Sequence, residues 1–375
     1  MGTKRIAVIG LGQRTAHVLL AMREVGWDLA VAGYADPAPV GLSILGETPR
    51  AYRDVASLLR DGPFDLVMIG SPNHLHYEHL LAAFAAGYPI FAEKPIVRTE
   101  DETFALARQL PNAPPLYVGL VMRSMPIVRE VVARLDGGAL GTVVSLDATE
   151  HLPPEHGAYL ARNWRRKEAW GGSFLLDKVC HDFDIFGRLA GSRAARVASF
   201  GGRRIFEPAN ASDDAAYAFV DGGWGGANDA FHSDMDVTDH QTAIVEYANG
   251  VRLAFHSNSH VSLTERRWYV AGTKATLIAD LVRNRLMVRP MHSREKPERI
   301  DYGGRTADSH NGADQAIARD LLEALEGRAT FPVTVQDSME AGLTVMAIDR
   351  AMRERAVVDC SAMWADYDLA VSALK

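Results

Sequence analysis

A β-like segment, Lys4 to Ile9, runs directly into Gly10-Leu11-Gly12 and then into AHVLLAMREVG, whose apolar residues recur at helical spacing and stop at Gly26. No other feature constrains the chain as much, because strand, glycine turn and helix in immediate succession open a βαβ unit. Gly10 and Gly12 stand where the dinucleotide fingerprint GxGxxG has its first two glycines, and Thr15 takes the third place. The first glycine permits a tight turn. The second lets backbone amides approach a pyrophosphate at the N-terminus of the helix that Gln13 and Arg14 begin. A ligand-free βα turn would use glycine in the same way; the position between a first strand and a helix favours the dinucleotide.

The alternation continues through DLAVAGYAD, DVASLLRDG, DLVMIGSP, HYEHLLAAFAAG, YPIFAEKP, DETFALARQL and PLYVGLVMR. Strands alternating with helices imply a doubly wound parallel sheet, and we assign residues 1–123 to a Rossmann domain on this ground. Asp36 closes the second strand, where a carboxylate would accept hydrogen bonds from ribose hydroxyls and repel the extra phosphate of NADP; it equally suits a turn before Pro37. Ser71, Pro72 and Asn73 follow the next strand, and strand carboxyl ends line the ligand crevice of an open sheet. His74 and His76 are contact candidates there or plain helix-start residues. Glu93-Lys94-Pro95 ends a further strand. Its lysine could donate a hydrogen bond to an oxygen undergoing oxidation or reduction, whereas an isolated EKP would read as a surface ion pair.

Beyond Arg123 the rhythm changes. QTAIVEYANGVRLAFHSNS carries an Asn249-Gly250 hairpin turn, and RRWYVAGTKATLIADLVRNRLMVRP supplies further strands. Residues 124–375 are therefore expected to form an α+β domain with an open, predominantly antiparallel sheet for substrate binding and oligomerisation, with C-terminal helices packing back on the first domain. The glycine-rich VDGGWGGAND reads as a mobile surface loop. Among 375 residues, 40 Lys and Arg against 47 Asp and Glu leave a net charge of −7, which argues against a nucleic-acid partner. No apolar run is long enough for a membrane span, and MGTKRIAVIGLG lacks a secretory leader, so a cytoplasmic location is expected. The 2 cysteines, Cys180 and Cys360, support neither a disulfide framework nor a thiolate zinc site.

GLG, Asp36, SPNHLH, FAEKP and GGSFLLDKVCHDFDIFGRL fall in the order seen in the Gfo/Idh/MocA oxidoreductases, which this chain resembles over most of its length. GLVMRSMP, GALGTV, EYANG, AGTKATLIAD and SHNGADQ fit as well. The resemblance implies a Rossmann domain followed by an open-faced sheet domain. It also implies a catalytic group formed by Lys94, Asp177 and His181. The chain departs from the family pattern at Thr15, at Val179 in place of a common glycine, and at Lys178, which adds a cation beside Asp177.

Asp177 and His181 are four residues apart, which on an α-helix places them on one face. An imidazole there suits acid/base work, although a hydrogen-bonded core histidine would look the same in sequence. HLPPEHGAYLARNWRRKEAWGG mixes aromatic and basic groups as a sugar site requires; Arg123, Trp164, Arg165 and Lys178 are the expected substrate contacts. The stretch with His232, Asp234, Asp236, Asp239 and His240 lacks a recognised metal-ligand spacing, and no metal is expected. The expected function is reversible hydride transfer between NAD, rather than NADP, and a secondary alcohol of a sugar, polyol or inositol-like substrate. The alternatives are a redox-neutral lyase, hydratase or glycoside-cleaving enzyme that uses bound NAD transiently, or a non-catalytic NAD-binding sensor. A homodimer or homotetramer is expected.

Overall fold

The first alternation closes into a five-stranded parallel sheet in the computed structural model, which describes residues 2–211, 230–292, 294, 296–303 and 311–372. Its strands are β1 (Lys4–Ile9), β2 (Leu29–Ala35), β3 (Leu66–Ile69), β4 (Ile90–Ala92) and β5 (Leu116–Val118), ordered β2-β1-β3-β4-β5. Because β2 and β3 flank β1 on opposite sides, the order reverses at β1, and the carboxyl ends of β1 and β3 border the switch point where doubly wound sheets bind ligands. Helices cover the sheet, so β1 and β3 read as unbroken apolar runs: Ile6 to Ile9 and Leu66 to Ile69 are all buried.

The described residues divide into two units. One takes Met1–Ser124, Gly312–Gly342 and Asp366–Lys375; the other takes Met125–Asn311 and Leu343–Ala365. The helix Ala313–Leu325 thus belongs with the parallel sheet. Trp27 Nε1 donates to the Ala318 carbonyl (3.0 Å) and Ser124 Oγ donates to Asp320 (2.7 Å), which anchors the returning helix to this unit.

In the second unit β6 (Val143–His151), β7 (Ala194–Gly202), β8 (His240–Tyr247), β9 (Arg252–Asn258), β10 (Glu265–Gly272), β11 (Ala275–Asp280), β12 (Arg285–Pro290), β13 (Glu298–Asp301) and β14 (Val358–Asp359) form one sheet. Their order is β13-β12-β11-β10-β6-β9-β8-β7-β14. Neighbours pair antiparallel except β6 and β9, so the sheet is mixed although mostly antiparallel. The β8–β9 hairpin turns at Asn249-Gly250 with Gly250 at φ 88°, the left-handed conformation for which glycine is suited. Alternation sorts the two faces: Leu253, Phe255 and Ser257 point inward, whereas Ala254, His256, Ile244 and Phe200 point outward. Phe183 and Phe186 seat the helix Cys180–Ala190 on the inner face, 5.2 Å from the Phe255 ring and 5.8 Å from the Trp268 ring respectively. Each such buried aromatic contributes about 2–3 kcal/mol. The glycine-rich residues 220–229 lie outside the described residues, and among the described residues no helix is long and apolar enough to cross a membrane.

Candidate active site

The glycine turn meets the steric demands of a dinucleotide fingerprint by two different means. Gly10 has φ 83°, and a Cβ on it would lie 2.4 Å from the Ser71 backbone nitrogen, so glycine is required by both conformation and space. Gly12 is extended at φ −79° and ψ −178°, a conformation any residue adopts, and a Cβ there would meet nothing within 4 Å. It faces open space before the helix Gln13–Glu24, whose N-terminus no side chain caps. Free amides, a favourable dipole and room for close approach fit a pyrophosphate. Thr15 does not loosen the helix against the sheet. Its hydroxyl donates to the Gly10 carbonyl (3.0 Å), and the space it needs comes from Gly70, where a Cβ would lie 2.1 Å from Thr15 Oγ1. The close-packing glycine has moved from the helix to the end of the neighbouring strand.

Asp36 follows Ala35, whose carbonyl accepts the Gly10 amide (3.0 Å), and this holds the carboxylate beside the glycine turn. Its Oδ1 accepts from the Ala38 amide (2.7 Å), so the turn before Pro37 is also formed.

Arg14, expected at the cofactor, directs its guanidinium onto Glu93 (3.0 Å) and Asp314 (2.8 Å). Burial works against the charge, but those two carboxylates outweigh it and hold the guanidinium protonated. Ser71, Pro72 and Asn73 follow β3, with Ser71 and Asn73 buried, and Ser71 Oγ lies 2.8 Å from His79 Nδ1. Burial pushes the His79 imidazole down to about 4. His76, also expected to touch cofactor, is 1% exposed, and both of its ring nitrogens face backbone carbonyls: Nδ1 that of Pro95 and Nε2 that of Ser71, each at 2.8 Å. It braces the chain instead of presenting an edge to a ligand. Lys94 precedes a cis peptide to Pro95 at the carboxyl end of β4, the edge that also carries the glycine turn. Arg123, an expected substrate contact, belongs to this first unit, 3.6 Å from Asp337.

Asp177, Lys178 and His181 lie in the second unit. The segment expected as one α-helix is a π-helical turn, Leu175–Val179, followed by the α-helix Cys180–Ala190. Asp177 and His181 thus flank a change of helical pitch, a feature often found at functional sites. Both are buried. Arg165 Nε lies 3.5 Å from the Asp177 carboxylate, and its guanidinium stacks on Trp164 at 4.1 Å and on Tyr159 at 5.3 Å. These contacts bring two of the expected substrate residues to the expected catalytic acid. Burial, and then Asp177, push the Tyr159 phenol well above its ordinary range, so it remains an O–H donor. Lys178 lies 3.4 Å from the buried Glu150. Glu150 in turn pairs with Arg266 at 2.9 Å, and Arg266 with Asp182, which also accepts from Trp268 Nε1 at 3.3 Å. Burial pushes the Glu150 carboxyl up, while Arg266 and Lys178 pull it down.

Tyr159, Glu150 and Arg266 were not anticipated. Tyr159 stands in the aromatic and basic stretch and could have been selected with Trp164; Glu150 and Arg266 meet across β6 and β10, and nothing local marks that pairing. The acidic stretch is engaged with protein groups. Asp234 pairs with Arg166 (2.6 Å) and Lys167 (3.2 Å), Asp236 accepts the Glu168 amide (2.7 Å), and Asp239 accepts the amides of Ile205 (2.7 Å) and Phe206 (3.0 Å). His240 Nδ1 lies 2.9 Å from Asp239, His232 lies on the same stretch, and among the described residues no cluster of His, Cys, Asp or Glu could hold a metal ion.

Residues 4–116 match the oxidoreductase family with an NAD-binding Rossmann fold, and residues 128–278 match the GFO/IDH/MocA C-terminal domain. Levoglucosan dehydrogenase of Pseudarthrobacter phenanthrenivorans is 26% identical over 60% of this chain and 57% of its own length. Inositol 2-dehydrogenase 2 of Saccharopolyspora erythraea is 28% identical over 54% of this chain and 58% of its own. These matches span less than two thirds of either relative. A solved levoglucosan dehydrogenase in complex with NADH and levoglucosan superimposes with a TM-score of 0.79 at 20% identity, covering 96% of this chain and 100% of that one. With both halves matched in order, the chain belongs to the Gfo/Idh/MocA family of NAD-binding oxidoreductases.

Proposed function

We propose that the protein is an NAD-dependent dehydrogenase acting on a secondary alcohol of a sugar, polyol or inositol-like substrate. The observation that carries the reading is the anchoring of Lys94: it leaves the sheet on the edge of the glycine turn, with Glu93 held by Arg14 and Pro95 held by His76. Relatives named levoglucosan dehydrogenase and inositol 2-dehydrogenase support the substrate class.

NAD, when bound, supplies the hydride acceptor. Gly10, Gly12 and the amides opened by Gln13 would hold its pyrophosphate, and Asp36 its adenosine ribose. In the oxidation direction the carbinol C–H electron pair leaves with its hydrogen while the O–H proton goes to His181, leaving a ketone. Lys94 would donate to the substrate oxygen as negative charge develops there. Asp177, with Arg165 and Tyr159 beside it, would hold the substrate hydroxyl and support the imidazolium. Trp164 would offer its face to sugar C–H groups. We extend the reading to a cytoplasmic homodimer or homotetramer, supported by the outward-facing apolar residues Phe200 and Ile244 on the open sheet.

The test is a panel of sugars and polyols incubated with NAD and followed both for NADH and for products. NADH formation with at least one member, lost in Lys94→Ala, supports the reading. Product formation without net NADH would mean the redox-neutral alternative, and no turnover with stoichiometric NAD binding would mean the sensor.

A further inference from the structure

We propose that His76 is a positioning residue for Lys94, tying the end of β4 to the segment that backs the glycine turn. The inference rests on the dehydrogenase reading for the meaning of Lys94, but its geometry is independent of that reading. His76 Nδ1 lies 2.8 Å from the Pro95 carbonyl, immediately after the lysine, and Nε2 lies 2.8 Å from the Ser71 carbonyl. Ser71 is the residue whose backbone crowds Gly10, so one imidazole spans from the turn expected to hold the pyrophosphate to the residue next to the expected hydrogen-bond donor.

A neutral imidazole has one N–H and satisfies one carbonyl at a time; both are served only by the imidazolium. Burial opposes the charge, the Pro95 and Ser71 carbonyls and Glu93 favour it, and Lys94 disfavours it. His79, His74 and Glu78 are the further ionisable groups at this helix start. Burial wins and lowers the pKa, so the neutral ring donates to one of the two carbonyls at a time while lying 2.8 Å from both. On the other side of Lys94, Arg14 grips Glu93 at 3.0 Å. With both chain neighbours held, the Lys94 backbone from which the side chain extends is fixed, and misplacement by about 1 Å can cost on the order of 10²-fold in rate.

The experiment compares wild type, His76→Ala, His76→Gln and Leu80→Ala, the last a buried apolar change in the same helix with no hydrogen-bonding side chain to lose. Each full-length protein is reductively ¹³C-methylated, and the Lys94 methyl resonance, assigned with Lys94→Arg, is recorded without cofactor. Thermal stability, NAD affinity, kcat and KM follow. The proposal expects the Lys94 resonance to move in both His76 variants, kcat to fall about 10- to 100-fold and NAD affinity to change less than about threefold, with Gln retaining more activity than Ala. In wild type the imidazole nitrogen shifts should show an N–H hydrogen-bonded to carbonyl.

An unmoved Lys94 resonance overturns the proposal, and so does an equal change in Leu80→Ala, which would make the effect merely structural. A His76 N–H in free exchange with solvent overturns it even if neither variant folds. Undiminished turnover in Lys94→Ala defeats the dehydrogenase reading instead, while the resonance still decides whether His76 positions that lysine.

Discussion

The Arg14 guanidinium, second residue of the helix after the glycine turn, lies 3.0 Å from the Glu93 carboxylate at the end of β4 and 2.8 Å from Asp314. One cation is therefore shared by two buried acids and locks the turn to the residue preceding Lys94. Arg14→Met should remove the cation shared by both carboxylates, at a cost of about 3 kcal/mol. Urea unfolding measures this, and a loss below about 1 kcal/mol would show that the network is no stronger than a surface pair.

Gly10 and Gly12 should fail differently. Gly10→Ala forces a left-handed residue into the Ser71 backbone, and we expect a loss of about 3 kcal/mol or more in stability. Gly12→Ala meets no protein atom, so stability should fall by less than about 1 kcal/mol while NAD affinity falls at least tenfold, the methyl group standing where the pyrophosphate approaches. Calorimetry of both variants with NAD separates the two effects. Unchanged affinity in Gly12→Ala would remove the pyrophosphate from this turn.

Asp36 remains beside the glycine turn, because Ala35 accepts the Gly10 amide and Ala38 donates to Asp36. We expect wild type to prefer NAD, and Asp36→Ala to narrow the ratio of kcat/KM for NAD over NADP by about tenfold, the effect of some 1.4 kcal/mol. Equal efficiency with both cofactors in wild type would contradict this role.

Features carried by consecutive residues were legible in the sequence. The strand–glycine–helix order, Asp36 at the end of β2 and the Asn249-Gly250 hairpin each state their geometry within a few residues. Partners far apart in the chain were not legible. Nothing near Thr15 indicates that Gly70 makes room for it, and nothing near His76 indicates that its ring would be taken up by Ser71 and Pro95. The expected α-helical spacing of Asp177 and His181 missed the π-turn, because apolar periodicity over five residues does not separate the two pitches. Likewise the parallel pairing of β6 with β9 arises from strands separated by about 100 residues, beyond the reach of hairpin signals.

Asp349 provides a pH test of the interior next to the Leu175–Val179 turn. Its Oδ1 accepts from Gln241 Nε2 (3.0 Å), and burial pushes its carboxyl up from 3.8 to about 6, against the downward pull of hydrogen bonds from Ser173 and Gln241. Ser173 in turn accepts the Asp177 amide through its carbonyl (3.0 Å) and the Leu176 amide through its hydroxyl (3.1 Å). A raised pKa means the folded state holds the proton more tightly than the unfolded one. The penalty is therefore absent below about pH 4, grows between about 4 and 6, and is complete above that range, at about 2–3 kcal/mol. Asp349→Asn should thus gain stability relative to wild type by roughly that amount on going from pH 4.5 to 8. A stability difference that does not vary with pH in urea unfolding would contradict the buried-acid account.

The central claim, hydride transfer from substrate carbon to NAD, is tested most directly with an active polyol from the panel deuterated at its carbinol carbon. We predict deuterium at C4 of the NADH that accumulates, a slower rate than with the unlabelled substrate, and loss of both label transfer and turnover in Lys94→Ala and His181→Ala proteins that still fold and bind NAD. Turnover that leaves the deuterium in the carbon product while NAD ends as it began would contradict net dehydrogenation.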